Sequence, residues 1–593
     1  MYKLKQIIFL ITFFFIGCSN RLNECSIIEK SLYSPTEFNY HNVSRELKDI
    51  PFIISRYIGI HKFLFDDANS SKEFYGSKSI IYSDALLYKS IISCDSRDNN
   101  SFYNLSKKAY DIYFENQKHY LFQFDNEEQK NYIKENKRYL LSIFTSTYLF
   151  QKKNNVTDTF NKWLNYKRTL YDIDNAISLS NSLYNKLKKE LARLNQEEKD
   201  YSKIEFITKR LSYEYKSSLY SIEYQTQKKL SYKDIQTILT PNQLYLDFAK
   251  VGENYYYFTL DNQANIQFKK IDKAQSKEID DYIQRIRKDG NISIQTTQNR
   301  YAKLYNIIFK DIDLKNKTSL IISPDGLLGL IPFEAFYDGE KYLIEKVKIR
   351  YIPSGKELVK LYRDKTKSQN NDIVVFADIN FDTTISKTKG VDIYKRLKFG
   401  KLANSKRDVM VVKKLFPNQV KLFLEDNATE KNLFKINSPK ILYLSTHGFF
   451  IDDKNILNPM LKSGIALSGA NSAIDNKTGD GIVTGLELAG LNLHGTELVV
   501  LSACKTGMGD IEEAEGVASL SKAFMLAGAK NIIMTLWRVD DEKSSLLMQK
   551  FYENIKQGVN YSNALREAKL WMIKDNNSSH PYFWSGFVGS GRD

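Results

Sequence analysis

Cysteine and histidine are scarce in this chain, and their scarcity narrows its chemistry. Among 593 residues there are four cysteines and six histidines. No group of them has metal-ligand spacing. We therefore expect neither a metal nor a cofactor.

The amino terminus lacks an apolar run long enough to span a bilayer, which takes about 20 helical residues. Lys3 and Lys5 precede an apolar run from Ile7 to Ile16, which is typical of a signal-peptide core. The run ends in Phe15-Ile16-Gly17-Cys18 and resembles a bacterial lipobox, although Phe15 stands where leucine is usual. We expect residues 1–17 to be removed and Cys18 to carry lipid, giving an exported lipoprotein on a periplasmic or outer-membrane face. A plain cleaved signal and a short uncleaved anchor are the alternatives.

Blocks of like charge are also missing. The chain has 86 lysines and arginines against 70 acidic residues, for a formal net charge of +16. Because the two signs are interspersed, the excess is typical of a composition bias rather than of a nucleic-acid-binding patch. Nucleic acid is therefore not an expected partner, and a nucleic-acid binder is a hypothesis that rests on charge alone.

The length and the 42% hydrophobic share predict two or three folded units. Residues 26–160 contain few glycines and prolines and have apolar residues at helical spacing, which predicts a helical region. We find no clean repeat of about 34 residues, so a degenerate tetratricopeptide-like organisation stays open. Residues 161–240 are charged and predict a long helical linker or hairpin, with an apolar stripe at Leu183, Leu187, Leu191 and Leu194.

The pattern changes near Pro241, where strands begin. Residues 244–249 and 255–260 flank a short turn and predict a hairpin. Runs that are apolar on both parities are typical of strands covered on both faces by helices. We therefore predict an α/β sandwich with a mostly parallel sheet over residues 241–593, with further strands at 319–322, 373–377, 441–444, 498–501 and 531–535.

Two of these strands end in residues that can carry chemistry. His447 and Gly448 follow the strand at 441–444, and Cys504 follows the strand at 498–501. The carboxyl ends of parallel strands lie at one edge of a sheet, so we predict a dyad in which His447 activates the Cys504 thiol. The backbone N–H groups of Gly448 and Cys504 are the predicted oxyanion hole. Taken singly, a structural histidine and a core cysteine are the alternatives.

Three further pairs of residues are candidates for a role in the site or in the structure. Asp540 and Asp541 are candidates for a substrate pocket that prefers a basic residue, although an N-cap of the following helix is the alternative for an Asp at this place. Cys25 and Cys94 are a candidate disulfide if the chain is exported to an oxidising compartment. Thr484 and Glu487 have the spacing of a structural capping box.

A series of short motifs runs through the second half of the chain in a fixed order. They are Ile322-Ser323-Pro324-Asp325-Gly326, Ile331-Pro332-Phe333-Glu334, Ser445-Thr446-His447-Gly448, Leu501-Ser502-Ala503-Cys504-Lys505-Thr506-Gly507, Glu515-Gly516, Phe524-Met525-Leu526-Ala527-Gly528-Ala529, Leu536-Trp537-Arg538-Val539-Asp540-Asp541 and His580-Pro581-Tyr582-Phe583-Trp584. With these motifs the chain, from about Pro241 to Gly591, resembles the CHAT domain, a caspase-like cysteine peptidase domain often found behind tetratricopeptide repeats in bacteria. The resemblance implies a caspase-like three-layer sandwich, a His447–Cys504 dyad and cleavage of peptide bonds.

The function expected from the sequence is that of an exported cysteine endopeptidase. Its partners would be a protein or peptide substrate, the membrane through a lipid anchor, and a regulatory protein on the helical region. The alternative is a scaffold or partner-binding protein that keeps the peptidase fold without using it, since a fold does not imply a function.

Overall fold

The computed structural model describes residues 80–121, 136–167 and 229–592, with internal gaps. The gaps lie at 289, 291, 369, 383–397, 403–404, 451–462, 472–480, 503–509, 513–515, 519 and 538–539. The chain divides into two compact units, residues 1–159 and 160–593.

The first unit is helical where it is described. Its helices are α1 (Ile80–Asp95), α2 (Asn99–Leu121), α3 (Lys137–Leu149) and the first part of α4 (Lys153–Tyr166). Small hydroxyl side chains let the helices approach closely, as where Ser106 Oγ and Ser142 Oγ lie 2.7 Å apart. Tyr113 stacks on Tyr139 with ring centroids 4.5 Å apart. The predicted helical region is confirmed, and its tetratricopeptide-like character stays a prediction.

None of the helices in these described ranges combines the length and apolar character that a membrane crossing requires. The apolar run from Ile7 to Ile16 and the predicted lipid site Cys18 lie outside the described residues.

The second unit is built on one large sheet. Among the described residues it contains 11 strands in the order β3-β2-β1-β4-β5-β16-β15-β12-β8-β6-β7. The pairings are parallel except for β1 with β2, β2 with β3 and β15 with β16. The strands are β1 Gln243–Val251, β2 Asn254–Leu260, β3 Ile266–Ile271, β4 Ser319–Ser323, β5 Lys348–Tyr351, β6 Ile373–Ile379, β7 Val420–Glu425, β8 Ile441–Ser445, β9 Gly448–Phe450, β10 Ser463–Ala466, β11 Ile482–Thr484, β12 Leu498–Ser502, β13 Asp510–Glu512, β14 Gly516–Ala518, β15 Asn531–Thr535 and β16 Phe587–Gly591.

Helices and two small sheets surround the large one. Strands β9 to β11 form a three-stranded sheet, and β13 pairs with β14. The helices of this unit are α5 Tyr232–Gln236, α6 Lys273–Ile286, α7 Ile294–Ile308, α8 Leu343–Lys346, α9 Gly355–Arg363, α10 Ser405–Leu415, α11 Glu430–Leu433, α12 Gly485–Leu488, α13 Leu520–Leu526, α14 Asp541–Lys556, α15 Tyr561–Lys574 and α16 Pro581–Trp584.

The central strands are buried on both faces, as their apolar runs predict. Every residue of β4, β6 and β8 is buried. On β1, Leu246 and Phe248 belong to the same core cluster as Ile283 of α6. The opposite face of β1 carries Tyr245 and Asp247, and Asp247 contacts residues near the end of α4. Helices therefore cover both faces, and the predicted three-layer α/β sandwich with a mostly parallel sheet is confirmed.

Strands β5, β7 and β16 were not predicted, because their sequence patterns are weak. Strand β7 at the sheet edge is only partly buried and has charged residues at Lys421 and Glu425. Strand β16 contains Gly589 and Gly591, and β5 is four residues long. Such strands take their place from pairing with neighbours, which local propensity does not encode.

A buried ion pair fastens the end of α4 to the sheet. Lys167 and Asp247 are 1% and 0% exposed, and Lys167 Nζ donates to Asp247 Oδ1 over 2.8 Å and to Ser323 Oγ over 2.7 Å. Asp247 also accepts from Trp163 Nε1 over 3.0 Å and from the Tyr245 hydroxyl over 2.5 Å. The second compact unit therefore begins at Phe160, upstream of the change in composition at 241.

We expect Lys167→Met to lower the free energy of unfolding by about 3–5 kcal/mol, because it leaves the Asp247 carboxylate buried without a cation. Urea titration of the full chain measures this loss. Lys167→Met combined with Asp247→Leu should recover much of it, since the uncompensated charge is then gone. A single-variant loss below about 1 kcal/mol, the range of an exposed pair, contradicts this account.

Candidate functional site

The histidine at the end of β8 is held by backbone hydrogen bonds on two sides. The N–H of Thr446 donates to the carbonyl of Ser502 at the end of β12, over 3.2 Å. The carbonyl of His447 accepts from the N–H of Ala466 on β10, over 2.8 Å. The large sheet and the small sheet together fix the backbone from which the imidazole projects.

The imidazole of His447 has its own partners. Its Nε2 lies 2.6 Å from the carbonyl oxygen of Gly400. The rings of Phe381 and Phe399 flank it, with centroids at 5.2 and 5.7 Å. Because a carbonyl can only accept, Nε2 carries a proton and Nδ1 holds the lone pair in the neutral ring. This arrangement makes His447 a group that can take up a proton at Nδ1.

The register between β8 and β12 relates His447 to Cys504. Ser445 pairs with Ser502 in the parallel ladder. His447 follows Ser445 by two positions, and Cys504 follows Ser502 by two positions. Cys504 itself lies in the gap at 503–509, outside the described residues. The two chain segments that carry the predicted dyad thus leave adjacent strands from paired residues.

Gly448, a predicted oxyanion residue, begins β9, which pairs with β10 in the small sheet. A glycine is required on the partner strand, because a Cβ on Gly464 would lie 2.3 Å from the Phe449 ring and 2.5 Å from the carbonyl oxygen of Val483. The close packing holds the segment after His447 against a rigid support. The oxyanion role of Gly448 and Cys504 stays a prediction.

Among the remaining candidates, Asp540, Thr484 and Glu487 cap helices. Asp540 is the N-cap of α14 and accepts from the N–H of Lys543 over 2.9 Å, while Asp541 is the first residue of that helix. Their role in a substrate pocket stays a prediction. The side chains of Thr484 and Glu487 form the capping box of α12, as their spacing predicts.

A polar cluster on the neighbouring strand was not predicted from the sequence. Asp378, near the end of β6, is 3% exposed and has a positive φ of 46°. Its N–H donates to Ser405 Oγ over 2.9 Å, and Ser405 Oγ donates to Ser445 Oγ over 3.0 Å. Lys401 and Lys406 reach the carboxylate at 3.7 and 3.5 Å. Asp378 directly follows the apolar run 373–377. A polar residue at the end of a buried strand is the pattern that predicted His447, and the same pattern could have identified Asp378.

Glu334, in the motif Ile331-Pro332-Phe333-Glu334, is a buried carboxylate with two polar partners. Glu334 is 4% exposed and accepts from Lys569 Nζ over 2.9 Å and from the Tyr351 hydroxyl. Burial lowers the pKa of Lys569 against the opposing attraction of Glu334, and burial and Glu334 raise the pKa of Tyr351 well above its ordinary value. Glu334 is thus a structural anchor between β5 and α15.

Cys94 on α1 is buried and forms a disulfide. The other three cysteines, Cys18, Cys25 and Cys504, all lie outside the described residues. The specific pairing of Cys94 with Cys25 therefore stays a prediction.

Comparison with known proteins identifies a domain family in the second unit. Residues 298–592 match the CHAT domain model. Tetratricopeptide repeat protein 28 of Homo sapiens is 22% identical over 344 residues, which cover 51% of this chain and 14% of that protein. Its Mus musculus counterpart is 33% identical over 112 residues, covering 19% and 4%. The chain thus spans only a small part of the curated relatives it matches.

The chain also aligns with solved structures at low TM-scores. The Arg specific cysteine proteinase gingipain R has a TM-score of 0.34 at 10% identity, covering 54% of this chain and 75% of that one. The Saccharomyces cerevisiae separase in its complex with securin has a TM-score of 0.39 at 10% identity, covering 99% and 51%.

The capping geometry of Asp540 makes a prediction about stability. Asp540→Ala should lower the free energy of unfolding by about 1 kcal/mol, because the N–H of Lys543 loses its acceptor. Asp540→Ser keeps an acceptor and should leave stability nearly unchanged. Thermal or urea unfolding of both variants measures the difference, and equal losses in the two would exclude the cap as the reason.

Proposed function

Because this chain is a CHAT domain protein, we propose that it is an exported cysteine endopeptidase in which His447 activates Cys504. The observation that carries the proposal is the register of β8 with β12. Paired Ser445 and Ser502 start two segments of equal length that lead to the imidazole and to the thiol. Segments that leave adjacent parallel strands at the same edge bring such groups within reach of each other.

The chemistry follows from the protonation of His447. With Nε2–H directed at the Gly400 carbonyl, Nδ1 accepts the Cys504 thiol proton. The thiolate sulfur then attacks the substrate carbonyl carbon, and the carbonyl electron pair moves to oxygen. Collapse of this intermediate breaks the C–N bond, and the imidazolium returns its proton to the leaving amine. Water subsequently hydrolyses the thioester and regenerates the thiol.

Backbone donors have a defined part in this scheme. The N–H groups of Gly448 and Cys504 would stabilise the oxyanion, and loss of one such donor typically costs about a hundredfold or more in rate. An acidic pocket at Asp540 and Asp541 would favour a basic residue in the substrate.

Export and membrane anchoring are part of the same proposal. The disulfide of Cys94 supports an oxidising compartment, since disulfides are rare in reducing cytosol. Lipid on Cys18 would hold the mature chain at the membrane. The helical first unit is then the surface available to a regulatory protein partner.

The dyad is tested by peptide cleavage. Cys504→Ala should abolish cleavage of a peptide library read by mass spectrometry, because no nucleophile remains. His447→Ala should reduce cleavage by about a hundredfold or more, the usual share of a general base. His494→Ala is the matched control, since His494 is exposed and lies outside the strand exits, and its activity should equal that of the wild type.

Full activity in Cys504→Ala would remove the assignment. A wild-type chain that folds and binds partners but cleaves no peptide, under any condition that keeps the thiol reduced, would favour the scaffold alternative instead.

The anchor has its own measurement. The mass of the mature amino-terminal peptide, from chain expressed in a bacterium with lipoprotein processing, should correspond to diacylglyceryl-modified Cys18. Cys18→Ser should abolish this modification and release the chain from the membrane fraction. An unmodified amino terminus at another residue would show a plain signal peptide.

A further inference from the structure

One asparagine binds both of the backbone segments that surround the His447 ring. The side chain of Asn471 accepts from the N–H of Phe399 over 2.8 Å, and its amide donates to the Phe399 carbonyl over 2.8 Å. Its main-chain N–H donates to the carbonyl of Phe381 over 2.9 Å. The amide therefore pairs with Phe399 as a neighbouring strand would, with one donor and one acceptor on the same residue.

The residues held in this way are the ones that contact the imidazole. Phe381 and Phe399 flank the ring, and Gly400, the next residue after Phe399, supplies the carbonyl that accepts from Nε2. Phe381 and Phe399 are 3% and 7% exposed and lie 6.0 Å apart, centroid to centroid. Fixing the Phe399 backbone at both its N–H and its carbonyl fixes the peptide plane that leads into Gly400.

We propose that Asn471 is a positioning residue for the reaction, which selects the Nε2–H tautomer of His447 by holding the Gly400 carbonyl in place. The inference rests on the proposed function of His447, and Asn471 acts only through the Phe399–Gly400 backbone. If the carbonyl moves away, the neutral ring loses the acceptor that favours a proton on Nε2. The ring is then a mixture of the Nε2–H and Nδ1–H tautomers.

The chemistry of the asparagine amide explains why this residue type suits the position. The amide offers an acceptor and two donors in one plane. The second donor is used as well, since Asn471 Nδ2 also lies 2.8 Å from Asp382 Oδ1. A carboxylate here would lack the donors and face Asp382 with like charge, and leucine, which has a similar shape, would lack every hydrogen bond.

The test compares Asn471→Leu with a matched control, Asn432→Leu, in the full chain. Asn432 Nδ2 donates to the Asn427 carbonyl over 2.9 Å, and no hydrogen bond of the described residues links it to Phe399, Gly400 or His447. Asn471→Leu should lower kcat about tenfold or more with KM changed less than about threefold, because small misplacements of a catalytic group cost up to about a hundredfold in rate. Asn432→Leu should leave kcat unchanged.

A second readout does not depend on catalysis. ¹⁵N-histidine spectra of the full chain carrying Cys504→Ala report the tautomer, with His447→Ala identifying the signal. The Nε2–H form should predominate with Asn471 and become a mixture in Asn471→Leu. An unchanged tautomer, or an equal change in Asn432→Leu, overturns the inference. If the wild type cleaves no peptide, the proposed function fails, while the tautomer still decides the role of Asn471.

Discussion

The candidate site depends on one pairing, that of β8 with β12 in parallel register. Ser445 opposite Ser502, and the hydrogen bond from Thr446 to the Ser502 carbonyl, bring two distant parts of the chain to one edge of the sheet. Strands buried on both faces resist movement, because any slip exposes apolar side chains and breaks ladder hydrogen bonds. The pairing supplies a rigid base from which a histidine and a cysteine can be presented together.

Buried charges tie the rest of the second unit to this base. Lys167 with Asp247 joins α4 to β1, and Lys569 with Glu334 joins α15 to the segment before β5. Such pairs add little net stability over apolar groups, but losing one partner is costly. They link the end of α4 and helix α15 to the same 11-stranded sheet in which β8 leads to His447.

The sequence predicted the elements better than the connections between them. Runs such as Ile441–Leu444 and Leu498–Leu501 are apolar on both parities, so the doubly covered strands, and the end of β8 just before His447, could be predicted from the local sequence. Gly400 lies 47 residues from His447 in the chain and falls in no patterned segment, so only the folded structure shows it as the acceptor. Asn471 is equally unmarked in sequence, because a hydrogen-bonded asparagine and a loop asparagine look alike.

The most direct measurement of cooperation between His447 and Cys504 is the rate at which iodoacetamide alkylates Cys504 at pH 6.5. A thiol with the reference pKa of about 8.5 is only about 1% thiolate at that pH. The wild type should react about tenfold faster or more than His447→Ala, since His447 takes up the thiol proton and the resulting imidazolium stabilises the thiolate. Equal rates in two folded proteins would contradict cooperation between His447 and Cys504.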